Sequence, residues 1–199
     1  MDRVMIFIDG NNLYQGAKDL LGRAPRIDLQ TFAHALCGPD RRLMRTYYYS
    51  ALSDREDNPS AYSRHKSFLD EVNTLPRFEV VVGYLQKKAV PGKRIDTADS
   101  STYIHTEKET DVNIATDMLS LAYDDGYDVA ILVSADSDYT RVIDRIKSRG
   151  KVVEVAICEG ARAYKLKHHA DDVLTLNPDF FAVCSLPSSA TAAAAAKLS

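Results

Sequence analysis

The chain has 199 residues, 45% hydrophobic and 27% charged, the balance of a soluble globular domain, which excludes a disordered or fibrous protein. A formal net charge of -3 excludes a uniformly basic nucleic-acid binder, so any polyanion must meet a local positive patch. No apolar run approaches the roughly 20 residues of a membrane span, and the N-terminus lacks the pattern of a signal peptide. Cys37, Cys158 and Cys184 lack metal-ligand spacing, so a cytoplasmic protein with reduced, mostly buried thiols is expected.

In chain order, "VMIFID" (4 to 9) reads as a buried strand that runs straight into Asp9. A helix over 12 to 21 stops at Gly22, and Asp28 opens a second helix over 28 to 37. "MRTYYYSA" (44 to 51) is the second strand; alternation places Tyr47 and Tyr49 on one face and Tyr48 on the other, as packing residues. A helix over 60 to 74 and the strand "FEVVVGYL" (78 to 85) follow. Residues 86 to 109 are polar, broken by Pro91 and Gly92, and read as a long binding loop. Next come a helix over 110 to 124, the strand "DVAILVS" (128 to 134), a helix over 138 to 149 closed by Gly150, and the strand "VVEVAIC" (152 to 158). Strands alternating with helices predict an α/β fold with a parallel sheet. The expected domain is 1 to 183, with a low-complexity, disordered tail from 184 to 199.

In such a sheet, ligands collect beyond the carboxyl ends of the strands. Asp9 ends the first strand, and Asp136 and Asp138 in "LVSADSDY" follow the fourth. In "TDVNIATDMLSLA", the residues Ile114, Ala115, Met118, Leu121 and Ala122 form one apolar stripe, which puts Asp111 at the top of the sheet-facing side. Each acid alone reads as a helix cap or a first-turn acid. Together they would repel one another unless a divalent cation neutralised them, and oxygen-only ligands favour Mg²⁺ or Mn²⁺. Asp117, six residues after Asp111, is rotated by roughly 120° and displaced by about 9 Å along the helix, so it is expected to support the site or the structure rather than to reach the same ion.

The segments "FIDGNNLY", "KETDVNIATDMLSLA", "YDVAILVSADSDYTRVI" and "GKVVEVA" resemble the NYN branch of the PIN-like nuclease superfamily, specifically its LabA-like proteins, over about residues 3 to 176. The resemblance implies a three-layer α/β/α PIN-like (Rossmannoid) fold with a central parallel sheet of about five strands in order 3-2-1-4-5. It also implies metal-dependent RNA cleavage leaving a 5′-phosphate. The family's acidic positions fall on Asp9, Asp111, Asp136 and Asp138, and its polar accompaniment on Asn12, Lys108, Asp117 and Ser134. Two turns depart from the family pattern: "SADSDY" stands where "SGDSDF" is usual, and "KETD" where "KGVD" is frequent. Ala135 would cost a little backbone freedom if its turn needs a positive φ, and neither change removes a ligand.

The chemistry implied is in-line hydrolysis by water, with one metal held by Asp9, Asp111 and Asp136 and a second held loosely through Asp138 or the phosphate. Asn12 is expected to orient water or phosphate, and Lys108 to offset charge in the transition state. Lys87, Lys88, Lys93 and Arg94, with Tyr103 as a stacking residue, are candidates for guiding single-stranded RNA; the competing reading is a solvated charged loop. A homo-oligomer is compatible with the sequence. A haloacid-dehalogenase phosphatase would need an Asp where Asn11 stands, and "DGNNLYQG" is not a dinucleotide fingerprint. The remaining rival is a catalytically weak or inactive RNA-binding or regulatory protein that keeps the acidic pocket.

Overall fold

The computed structural model describes residues 1 to 52 and 54 to 186; most of the expected tail lies outside the described residues. The strands are β1 (Arg3–Asp9), β2 (Arg42–Ala51), β3 (Phe78–Ala89), β4 (Tyr103–Lys108), β5 (Val129–Val133), β6 (Val152–Cys158) and β7 (Asp172–Leu176). The helices are α1 (Gly10–Leu21), α2 (Leu29–Cys37), α3 (Pro59–Thr74), α4 (Thr110–Tyr123), α5 (Thr140–Lys147), α6 (Tyr164–His169) and α7 (Pro178–Val183).

The strands form one seven-stranded sheet in the order β4-β3-β2-β1-β5-β6-β7, with helices on both faces. This corrects the expected count and order. The inner five strands are parallel and keep the expected neighbours, but each edge gains a strand, β4 antiparallel to β3 and β7 parallel to β6. The polar stretch after residue 85 is therefore not a long loop. β3 continues to Ala89 and returns as β4, pairing Leu85 with Glu107 and Lys87 with His105. Its charged residues hid the strands, because a hairpin beyond the helical layers need not be apolar on both sides.

The central strand β1 shows how two layers are built from one sequence. Val4, Ile6 and Ile8 enter the core against α1 and α2, while Met5 and Phe7 enter the core that includes Ile114, Met118 and Ala122 of α4. Each fully buried Ile or Phe contributes about 1.5–3 kcal/mol of hydrophobic stabilisation. The tyrosines alternate as expected. Tyr47 stacks on Phe7 at 5.4 Å between ring centroids, and Tyr48 packs in the opposite layer. Cys37, Cys158 and Cys184 are free and buried, and Ser185 bridges Ile27, so the packed chain extends past Val183. Among the described residues, no helix is long and apolar enough to cross a membrane.

Candidate metal and phosphate site

The carboxyl ends of β1 and β5 meet the start of α4, and a cavity of about 510 Å³ opens there. Asp9, Asn12, Lys108, Asp111 and Asp136 line it. Asp9 is only 6% exposed. One of its oxygens accepts the backbone N–H of Asn12 at 3.0 Å, capping α1, and the other accepts the hydroxyl of Ser134 at 3.3 Å. Burial pushes its pKa up to about 6; the Asn12 N–H works against the rise, while the charges of Glu107 and Asp111 add to it. A cation would remove this penalty.

The other acids are also held. Ser134 Oγ accepts the backbone N–H of Asp136 at 3.1 Å, so one hydroxyl joins the two strand ends. Asn12 Oδ1 accepts the Ala135 N–H at 2.9 Å, tying α1 to the same turn. Asp136 itself caps the 3-10 turn of Ser137–Tyr139 through the Asp138 N–H. The hydroxyl of Tyr139, which is buried, donates to Asp111 Oδ1 at 2.7 Å and fixes the start of α4 to that turn. Tyr139 stands at the Phe position of the usual motif, and a Phe would leave this carboxylate without that donor.

Not every expected residue arrives at the cavity. Asp138 is exposed and does not line it, because the 3-10 turn sends Tyr139 inward instead. Asp117 accepts the Tyr49 hydroxyl at 3.0 Å, one turn and a half along α4, as its rotation from Asp111 requires. Glu107, not anticipated from sequence, lines the cavity from β4, accepts the Thr110 hydroxyl and receives Asn11 Nδ2 at 3.4 Å. Only the unexpected strand β4 brings it there. At Gly83 a Cβ would lie 2.5 Å from the Lys108 carbonyl oxygen, so β3 can pass under this turn only as glycine. Strain sits at Glu109, whose φ is 73°, and not at Ala135, which stays out of the left-handed region.

The model of the NYN domain family matches residues 3 to 177, almost the whole described chain. The protein belongs to the NYN domain family. It thus falls in the PIN-like nuclease superfamily. This NYN domain is 27% identical over 176 residues to the low amplitude and bright protein LabA of Synechococcus elongatus, covering 88% of this chain and 84% of that one. Its fold is similar to the crystal structure of a protein of unknown function from Vibrio parahaemolyticus, with a TM-score of 0.61 at 22% identity, covering 90% of this chain and 95% of that one.

The NYN domain carries a second acidic group away from the cavity. Asp54, Asp57 and His105 place ligand atoms within 4.8 Å of one another, the one such trio among the described residues, and so form a group able to hold a metal ion. The carboxylates of Asp9, Asp111 and Asp136 stand wider apart. Between Asp54 and Asp57, however, lies the ammonium of Lys87, at 3.2 and 2.8 Å. Its hydrogen bond holds Asp57 below the usual carboxylate range, so the countercharge is already present. Lys87 also sits 4.9 Å over the ring of Tyr103, which is only 6% exposed. Both residues brace the hairpin and present little surface to a strand of RNA. Lys88, Lys93 and Arg94 are exposed, Lys93 with its ammonium on the Ser101 carbonyl and hydroxyl.

Proposed function

We propose that this NYN domain is a divalent-metal-dependent endoribonuclease that hydrolyses phosphodiester bonds of single-stranded RNA in the cytoplasm. The observation that carries the reading is the convergence of Asp9, Asp111 and Asp136 on one cavity with Asn12 and Lys108. The donor set fits a hard cation: every candidate ligand is a carboxylate oxygen, and the most buried one is poorly accommodated as a bare charge. Asp9, Asp111 and Asp136 would hold Mg²⁺ or Mn²⁺, and such an ion, when bound, supplies charge neutralisation and an acidified water.

The chain's own residues do the rest. Lys108 brings a positive charge to the cavity wall and offsets charge building on the phosphate. Asn12 and Ser134 keep the two strand ends in register, which fixes Asp9 against Asp136. Lys88, Lys93 and Arg94 on the hairpin supply positive charge to the RNA backbone. Asp138 stays outside the cavity, so its part is confined to donating its backbone N–H to Asp136 and to the rim.

The test is to incubate purified protein with end-labelled single-stranded RNA and Mn²⁺ or Mg²⁺, beside an Asp136→Asn variant. Cleavage should require the metal, stop on chelation, leave 5′-phosphate ends and be strongly slowed in the variant. Absence of cleavage in every metal, or cleavage indifferent to the substitution, would point instead to an RNA-binding protein without turnover.

A further inference from the structure

Behind the wall formed by Asn11 and Glu107 the acidic cavity has a larger neighbour of about 780 Å³. Its lining is of another character. Tyr14 and Phe68 border it while remaining 44% and 39% exposed, large aromatic surfaces with no covering element. Leucine and isoleucine side chains of α1, α2 and the chain before α2 complete an apolar wall. Polar side chains reach it from Asn11, Ser50, Arg64, His65, His105 and Glu107. His65 Nε2 is 3.0 Å from Ser50 Oγ, and burial lowers the His65 pKa, so a neutral imidazole faces any ligand near pH 7. Arg64 contributes one guanidinium whose contact within the protein is a long one, 3.4 Å to Ser60 Oγ.

Tyr48 stands in the wall of this cavity beside Gly10. It is 7% exposed and lines the cavity, and its hydroxyl has no hydrogen-bond partner among the described residues. That hydroxyl lies against Gly10, where a Cβ would come within 2.7 Å of it, immediately after Asp9. With no partner in the protein and an opening onto the cavity, the hydroxyl is available to donate to a ligand bound there. A cavity with an aromatic and apolar wall and polar groups at its edges suits a flat heteroaromatic ring, and exposed aromatic rings stack on bases of any sequence.

We propose that this second cavity receives the base and ribose of the nucleotide adjoining the phosphate held at Asp9, with Tyr14 and Phe68 packing on the base and the Tyr48 hydroxyl donating to the sugar-phosphate at the junction. The assignment of the neighbouring phosphate rests on the nuclease reading; the pocket for a base does not. Base recognition therefore precedes cleavage, and the spacing of the two cavities selects which bond is presented.

The experiment has two arms. In the first, without metal, adenosine, adenosine 5′-monophosphate and ribose 5-phosphate are titrated into wild type, Tyr14→Ala, Tyr14→Phe and Phe68→Ala by ligand-observed NMR. The two base-bearing probes should bind and ribose 5-phosphate should not; Tyr14→Ala and Phe68→Ala should weaken binding by about 5- to 100-fold, and Tyr14→Phe by much less. Both substituted side chains are exposed, and circular dichroism checks that the variants are folded. No binding of adenosine, or binding indifferent to both alanine variants, overturns the proposal. In the second arm, an RNA octamer and its single-abasic series are cleaved, and one abasic position should slow the adjoining bond by about tenfold. Uniform cleavage along the series overturns the adjacency, whereas adenosine binding by a protein that cleaves nothing separates a correct pocket from an incorrect nuclease reading.

Discussion

Replacing Asp9 with Asn should stabilise the metal-free protein, by an amount that depends on pH. The pKa of Asp9 rises from an ordinary 3.8 to about 6, chiefly because the carboxyl is buried. A carboxyl with a raised folded pKa disfavours the folded state once ionised, so its contribution to stability is intact below about pH 3.8 and is lost as pH climbs through 6. Integrated over that window the wild type loses about 0.5 kcal/mol by pH 4, about 1.5 by pH 5 and about 3 by pH 8. Asparagine cannot ionise, yet its amide oxygen can still cap α1 through the Asn12 N–H, and Ser134 Oγ can turn to accept from its amide. The gap between variant and wild type should therefore open from pH 4 to pH 8, reaching roughly 6–12 °C in melting temperature. The assay is thermal or urea denaturation in chelator at several pH values, followed by the same series in Mn²⁺. There the wild type should regain stability and the variant should not. A gap that does not change with pH, or a variant less stable than wild type at pH 8, would refute the idea that Asp9 is an uncompensated buried charge.

Three further outcomes follow from neighbouring geometry. Glu109→Gly should raise stability by about 1 kcal/mol in urea denaturation, because the left-handed φ of 73° strains a residue with a Cβ more than Gly loses in chain entropy. Tyr139→Phe removes the donor that orients Asp111 and should weaken Mn²⁺ binding by about tenfold in metal titrations followed by melting temperature, while the unfolding free energy moves by about 1 kcal/mol. Asp54→Asn should leave the Mn²⁺-induced rise in melting temperature unchanged, since Lys87 already neutralises that group; a lost rise would move the metal to the hairpin.

The residues that could be placed from sequence are those at the ends of long apolar runs. Asp9 follows five buried positions of β1 and Asp136 follows the fully buried β5, so their height in the fold was set by the strand itself. Asp111 was legible through the stripe of Ile114 and Met118 beneath it. Glu107 was not, because β4 carries exposed residues at both Ile104 and His105 and so shows no clean alternation to betray a strand. β7 is five residues long and half-buried, which gave equally little signal. Asp138 failed for a different reason. Its spacing from Asp136 is that of a shared site, but the intervening 3-10 turn gives the inward position to Tyr139, and turn geometry of this kind is decided by tertiary packing.

The same contacts also dissolve the choice between a helix cap and a metal ligand. Asp9 and Asp136 both cap, and a carboxylate oxygen that accepts one N–H or O–H keeps a further lone pair for a cation. A cap bond fixes the carboxylate's orientation in advance, so less freedom is lost when an ion binds. The spread of the three acids points the same way. Each accepts from its own donor, Asp9 from Asn12, Asp111 from Tyr139 and Asp136 from Asp138, and like charge on the three would disfavour closer approach without a cation. In the Asp54 and Asp57 group that positive charge is Lys87, and there the ligand atoms have already closed to within 4.8 Å. In the Asp54 and Asp57 group the chain thus supplies its own cation, whereas on the function proposed above the Asp9 cavity would take one from solution.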